Sequence, residues 1–380
     1  MKYEKLIFVD PAKNSNKKYE MREKGDGTFD ITFTRVGNSP QHDNQPMKKW
    51  DSKLNEKLKK GYKKITHLVT VVETQDAALS GDASIDAFLT RLLEASKNAF
   101  KQTYRVSATA ITQLQVEAVQ EVINKINDIL KTNEDYTATH KLFVELWHIL
   151  PRTMSNVSWY LPRSLENAKD ILAQEQDNID NANVQKTFVS TGENLGLLDN
   201  LGIEISPKLV APPQDLLDFM GSKWVNVKGV YRLSKPSLET RFNEFVNQAS
   251  DKTTSLRYHG TKWQNGMAIL QTGLRILGAK AATYSGSMLG DAIYTSMDFD
   301  KSRNYSDGLM FVLNVHTGKP LMVTDERHIK NYTWEDLQKL GYHSVNADPG
   351  VYTGWVRLQR HEQTIYREDQ QTFMYILDVK

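Results

Sequence analysis

The sequence predicts a multidomain α+β chain: a small β-rich domain, an all-α helical bundle and a C-terminal strand-rich domain with few helices. Three observations predict it. At 380 residues the chain exceeds what one hydrophobic core usually organises. Its apolar periodicity changes from two to about 3.6 near Asp82 and returns to two near Gly192. Charge is segregated as well: residues 1–70 hold 16 Lys/Arg against 9 Asp/Glu, residues 71–190 hold 11 against 16, and residues 191–380 are balanced. These changes place domains at residues 1–78, 79–190 and 191–380.

In the first segment, Lys5-Leu6-Ile7-Phe8-Val9 and Thr28-Phe29-Asp30-Ile31-Thr32-Phe33-Thr34-Arg35-Val36-Gly37 alternate as strands do, with Asn, Gly and Pro in the turns between them. A helix-like stretch follows. It carries Lys48, Lys49, Lys53, Lys57, Lys59, Lys60, Lys63 and Lys64 against Asp51 and Glu56, with Trp50, Leu54, Leu58 and Tyr62 at near-helical spacing. One face is expected to pack and the other to stay positive.

The middle segment shows four apolar stripes at helical spacing. Examples are Ile85, Phe88, Leu89 and Leu92; Leu114, Ala118 and Val122; Leu142, Phe143, Leu146 and Trp147; and Leu165, Ala168, Ile171 and Leu172. Pro151 and Pro162 interrupt the pattern after the third stripe, and Ser164 is positioned to N-cap the last helix. From about Gly192 strand patterns return, for example Ser255–His259, Ala292–Thr295, Met310–His316, Gln363–Tyr366 and Thr372–Val379. Two short helices are expected, near Leu238–Asn247 and Asn265–Thr272.

Composition excludes several function classes. Hydrophobic residues at 39% and charged residues at 25% are ordinary for a soluble globular protein. No apolar run approaches the ~20 residues that span a bilayer, so no membrane role is expected. The first residues lack the features of a secretory signal, which predicts an intracellular protein. With zero cysteines there are no disulfides, no thiolate catalysis and no cysteine-ligated zinc. The nine histidines show no paired ligand spacing, so no metal is expected. No Gly-x-Gly-x-x-Gly follows a strand, which argues against a Rossmann domain.

Three separated C-terminal segments carry the chemistry: Arg257-Tyr258-His259-Gly260-Thr261, Leu289-Gly290-Asp291-Ala292-Ile293-Tyr294 with Lys301-Ser302-Arg303-Asn304-Tyr305, and His361-Glu362-Gln363-Thr364-Ile365-Tyr366. The order His, Tyr, Glu resembles the catalytic domain of the poly(ADP-ribose) polymerases. The match is strengthened by Gly273-Leu274-Arg275 after the short helix and by Lys301-Ser302-x-Asn304-Tyr305. Phe33-Thr34-Arg35-Val36-Gly37 is similar to the Trp-Gly-Arg signature of a WGR domain, with the Trp and first Gly replaced. Gln113–Glu117 and Lys141–Pro151 resemble the family's regulatory helical domain. The resemblance implies an antiparallel split-sheet ADP-ribosyltransferase fold behind a WGR-like domain and a helical domain.

The resemblance also implies roles. NAD+ is the substrate and no metal takes part. Glu362 is the catalytic carboxylate, placed beside the oxocarbenium-like ribose and the acceptor hydroxyl. His259 hydrogen-bonds the adenine-side ribose, and Gly260 and Thr261 present backbone to the carboxamide. Tyr294 and Tyr305 sandwich nicotinamide, Ser302 donates to its carboxamide, Lys301 contacts substrate or acceptor, and Arg275 contacts the adenosine end. Arg35, Lys48, Lys49, Lys53, Lys57 and Lys60 are the candidate DNA contacts. The expected partners are DNA with strand breaks and acceptor proteins including the chain itself, for a monomer that is nuclear in a eukaryote and cytoplasmic or nucleoid-associated otherwise. Retained Glu362 points to polymer formation, whereas Ser287 and Asp291 depart from residues common in relatives. The alternatives are a mono-ADP-ribosyltransferase or NAD glycohydrolase, and a DNA-binding scaffold with weak catalysis.

Overall fold

A computed structural model describes residues 1–68, 79–104, 111–132, 135–187, 196–276, 289–324, 332–353 and 356–380. The chain divides into two compact units, Met1–Thr74 with Lys97–Lys186, and Gln75–Ser96 with Thr187–Lys380.

The first unit begins with β1 (Tyr3–Asp10), β2 (Ser15–Glu23), β3 (Thr28–Arg35) and β4 (Gln41–Pro46), followed by helix α1 (Trp50–Lys59) and the short β5 (Lys63–Lys64). Every neighbouring pair is antiparallel, in the order β4-β3-β2-β1-β5. Alternation in β1 to β3 turns Leu6, Tyr19, Met21, Phe29 and Ile31 to one side, where Trp50 of α1 packs edge-on against Phe29 at 5.0 Å. The basic helix is shorter than its periodicity suggested. Gly61 adopts φ +89°, a left-handed turn that glycine enters without strain, so Lys63 and Lys64 pair with Ile7 and Leu6 instead of continuing α1. Strand β2 escaped the sequence reading because Asn, Lys and Glu dominate it.

Helices α2 (Ala83–Tyr104), α3 (Gln113–Thr132), α4 (His140–Ile149) and α5 (Leu165–Thr187) follow. Ser164 caps α5 as expected, its Oγ accepting Asn167 N–H at 3.1 Å. Glu175 of α5 is fully buried, and three donors surround it: Arg152 Nη1 at 2.6 Å, Trp147 Nε1 at 3.2 Å and the Tyr104 hydroxyl. Within this unit the sheet and the α4–α5 connection are stitched together. Val9 N–H donates to His148 Nε2 at 3.2 Å, and Asn16 Nδ2 donates to the Arg152 carbonyl at 2.7 Å.

In the second unit α6 (Leu197–Leu201), β6 (Glu204–Ile205), α7 (Gln214–Met220), β7 (Val227–Ser234), α8 (Pro236–Gln248), β8 (Thr254–Thr261) and α9 (Trp263–Thr272) precede β9 (Ile293–Thr295), α10 (Phe299–Asn304) and β10 (Leu309–His316). Then come β11 (Pro320–Val323), α11 (Trp334–Lys339), β12 (Ser344–Ala347), a β13–β14 hairpin (Tyr352–Thr353 and Val356–Arg357), β15 (Glu362–Ile365) and β16 (Gln371–Val379). One sheet runs β6-β7-β16-β10-β8 and is antiparallel; the second runs β11-β12-β15-β9 and is antiparallel except for the parallel β11–β12 pair. Helices α6, α7, α10 and α11 are additional to the two expected here. Each has seven residues or fewer, too short for a helical stripe to show in the sequence.

The sheets meet where β8 passes β9. A single reciprocal pair joins those strands: Tyr258 N–H to Ser296 O at 2.8 Å and Ser296 N–H to Tyr258 O at 3.1 Å. The first half of α2 also belongs to this unit. Phe88 packs between Tyr231, tilted at 4.6 Å, and Trp263, edge-on at 5.4 Å, and Arg91 lies 3.7 Å over the Trp263 ring while pairing with Asp378 at 3.1 Å.

Candidate active site

The split between the sheets gathers the sequence-selected residues. On β8, burial pushes the His259 imidazole below its ordinary pKa, so it is neutral near pH 7. Its Nδ1–H donates to the Tyr294 carbonyl at 3.1 Å, the role a carbonyl partner demands, which leaves Nε2 as an acceptor suited to a sugar hydroxyl. Tyr258 directs both its N–H and its C=O to Ser296. Gly260, two residues on, directs its own N–H and C=O to the same edge of the strand, an arrangement that fits a carboxamide. A Cβ at Gly260 would sit 1.7 Å from the Ser302 carbonyl, so glycine is obligatory. Ser302 Oγ donates in turn to Tyr258 O at 3.4 Å.

Tyr294 is held by its hydroxyl, which accepts Leu289 N–H at 2.7 Å and donates to Gly290 O at 2.9 Å. Burial raises its pKa steeply, so it remains a neutral ring. Tyr366 pins the same turn, donating to Leu289 O at 2.6 Å. Across β15, Thr364 lies opposite Tyr294, which places Glu362 one same-face step along the strand. Glu362 Oε1 and Lys301 Nζ form an ion pair at 2.5 Å, with side-chain exposures of 5% and 8%. Lys301 also donates to His361 O at 2.8 Å. Burial pushes the Glu362 carboxyl up and the Lys301 ammonium down, and each partner's charge opposes the other's shift. At 2.5 Å we assign the charged pair. Asp298 starts α10 by accepting Lys301 N–H at 3.2 Å and binds Arg360 at 2.7 Å, fixing the helix that carries Lys301 and Ser302.

Hydrogen bonds, close approach and strand register thus bring His259, Gly260, Tyr294, Lys301, Ser302 and Glu362 together. Thr261 is buried at the end of β8 opposite Leu309. Tyr305 caps α10 and is 44% exposed, and Arg275 lies three residues beyond α9. Ser287 lies outside the described residues. Sequence reasoning assigned no role to Arg257 or Gln363, although both sit inside the quoted motifs. The Arg257 Nε donates to Gln363 Oε1, and its Nη1 donates to Leu256 O at 2.8 Å. Strand alternation was the available signal, since it turns Arg257 to the same face as His259.

The candidate DNA-contacting residues fall in the first unit. Lys48 and Lys49 precede α1, and Lys49 Nζ donates to Gln45 at 3.1 Å. Lys53 and Lys60 flank Glu56 at 3.8 and 2.5 Å. Lys57 lies 4.3 Å over the Tyr19 ring. Arg35 is engaged within the fold: Nη1 donates to Asn14 O at 2.7 Å, and Nη2 donates to Asn14 Oδ1, Met154 O and Ser155 O at 3.1, 3.1 and 2.9 Å. A phosphate would have to displace those acceptors.

The family model of the poly(ADP-ribose) polymerase catalytic domain matches residues 219–380. Two proteins of Invertebrate iridescent virus 6 are similar to this chain. Uncharacterized protein 101L is 32% identical over 179 residues, covering 47% of this chain and 75% of its own length. The poly [ADP-ribose] polymerase-like protein 100L is 30% identical over 158 residues, covering 40% and 84%. Poly [ADP-ribose] polymerase 2 of Arabidopsis thaliana is 29% identical over 131 residues, 33% of this chain and 17% of the plant protein.

Proposed function

The chain belongs to the poly(ADP-ribose) polymerase family and is an NAD+ ADP-ribosyltransferase, and from that premise we propose that it is a DNA-break-stimulated polymerase acting on itself and on other proteins. The observation that carries this reading is the buried Lys301–Glu362 pair beside Tyr294 and His259. Departure of nicotinamide leaves positive charge on the ribose, and Glu362 supplies a preorganised carboxylate for it. His259 Nε2 and the Gly260 backbone orient the two ends of the dinucleotide, so binding holds the C–N bond before it breaks. The same carboxylate accepts the proton of an incoming ribose hydroxyl, which is what elongation requires.

In this proposal the lysine-rich α1 binds duplex ends, and the helical segment restrains NAD+ access until DNA is bound. Support comes from the excess of 16 Lys/Arg over 9 Asp/Glu in residues 1–70 and from the segment order. The protein then works as a monomer wherever broken DNA is found. Mass analysis of products from labelled NAD+, with and without nicked or blunt-ended DNA at two salt concentrations, tests it. Polymer that rises with DNA supports the reading, single ADP-ribose or free ADP-ribose makes the protein a mono-transferase or glycohydrolase, and no product leaves a DNA-binding scaffold.

A further inference from the structure

The sheets bearing His259 and Glu362 share one backbone pair, Tyr258 with Ser296, supplemented by the His259 side chain on the Tyr294 carbonyl, while β9 and β15 are joined by a regular ladder. One reciprocal pair is a pivot. It does not by itself fix how far the β8 edge stands from β15. Arg257 spans that gap. It starts on β8 two residues before His259 and donates from Nε to Gln363 Oε1, on the residue after Glu362. Gln363 is itself tied to β9, its carbonyl accepting Thr295 Oγ at 3.3 Å.

The choice of residue is informative. Arg257 is 6% exposed, and the acceptors of its guanidinium among the described residues, Gln363 Oε1 and Leu256 O, are neutral. Burial alone pushes its pKa down to about 10. A well-packed apolar side chain would cross the same gap without burying a cation. What the guanidinium adds is a planar fork of donors in fixed directions, here bonded to β8 at one tip and to β15 at another.

We propose that Arg257 is a positioning residue for ADP-ribosyl transfer, its brace to Gln363 setting the distance between the strand that holds NAD+ and the strand that carries Glu362. It touches neither the reacting atoms nor the catalytic carboxylate. In this reading substrate affinity resides in His259 and Gly260 of β8 with the nicotinamide-binding Tyr294 and Ser302, whereas Glu362 acts mainly as charge develops. Loosening the brace therefore removes an interaction made in the transition state and leaves ground-state binding in place.

The test uses the full-length protein with labelled NAD+ and measures kcat, KM and Tm for Arg257→Met, Arg257→Lys, Gln363→Leu and the Arg257→Met/Gln363→Leu double variant. This inference rests on the transferase reading, which wild-type turnover tests separately. We expect Arg257→Met and Gln363→Leu each to lower kcat by roughly 10- to 100-fold with KM changed by less than about threefold, and the double variant to be no slower than the worse single one. Arg257→Lys keeps a cation without the fork, so kcat falls while KM holds. Wild-type kcat in Arg257→Met or Arg257→Lys, a loss carried by KM, or additive losses in the double variant would overturn the proposal. Should Arg257→Met fail to fold, Arg257→Lys and Gln363→Leu decide by the same kcat criterion.

Discussion

Lys301 and Glu362, sixty-one positions apart in sequence, form a buried ion pair at 2.5 Å in which the ammonium also reaches the carbonyl of His361. The pair gives the carboxylate a fixed direction before substrate arrives. Replacing Glu362 with Gln keeps the shape and removes the charge, so kcat should fall by about 10²- to 10⁴-fold, and the Lys301 ammonium left buried without its counter-charge should lower Tm as well. Quantifying nicotinamide release by the variant checks this.

The same pair sets the pH response. Burial raises the Glu362 carboxyl above its ordinary value, so the rate should climb with a midpoint above the usual glutamate range as the group ionises. Lys301 opposes that rise, so Lys301→Met should move the acid limb to still higher pH. Lys301 itself titrates below its ordinary 10.5, which puts the alkaline limb of the wild type under that value. A pH–rate profile of both proteins reads these limbs; an unmoved acid limb in Lys301→Met would count against the assignment.

Gly260→Ala forces a methyl to 1.7 Å from the Ser302 carbonyl, a backbone atom that cannot rotate away. Separating β8 from α10 should cost about 1–3 kcal/mol or more of stability and abolish NAD+ binding together. Differential scanning calorimetry with and without a nicotinamide analogue reports both effects. A variant with normal Tm and turnover would show that the close approach is not required.

Arg35 and the α1 lysines should separate. Arg35→Ala leaves the Met154 and Ser155 carbonyls without their donor, and the loss of a charged hydrogen bond typically costs about 1.5–3 kcal/mol, seen as a lower Tm. Lys48, Lys49 and Lys53 changed together to Ala should leave Tm nearly constant and reduce the slope of log affinity against log salt by up to roughly 2.7. Fluorescence anisotropy with a labelled duplex across a salt series measures it; an unchanged slope removes these three lysines from the DNA interface.

Much of the site was legible in the sequence. His259, Gly260, Tyr294 and Glu362 lie in short strand-edge motifs whose resemblance to those of the family pointed to them as candidates. Arg257 was not legible as a brace, because its partner lies 106 positions away and a buried arginine looks no different in sequence from a solvated one. Arg35 likewise read as a candidate DNA contact, with nothing in the sequence to show the four acceptors it meets within the fold.

Local pattern alone determined where period-two segments and helical stripes run, which part of the chain is basic, and that the sequence holds no cysteine. Those properties depend on neighbours within a few residues. Tertiary structure decided the rest. It divided α2 between two units, because an amphipathic stripe specifies that a face will be buried and not what buries it. It also seated Lys301 on Glu362 and joined Arg257 to Gln363, since contacts between distant strands follow from sheet order and register, which the periodicity of any one strand does not contain.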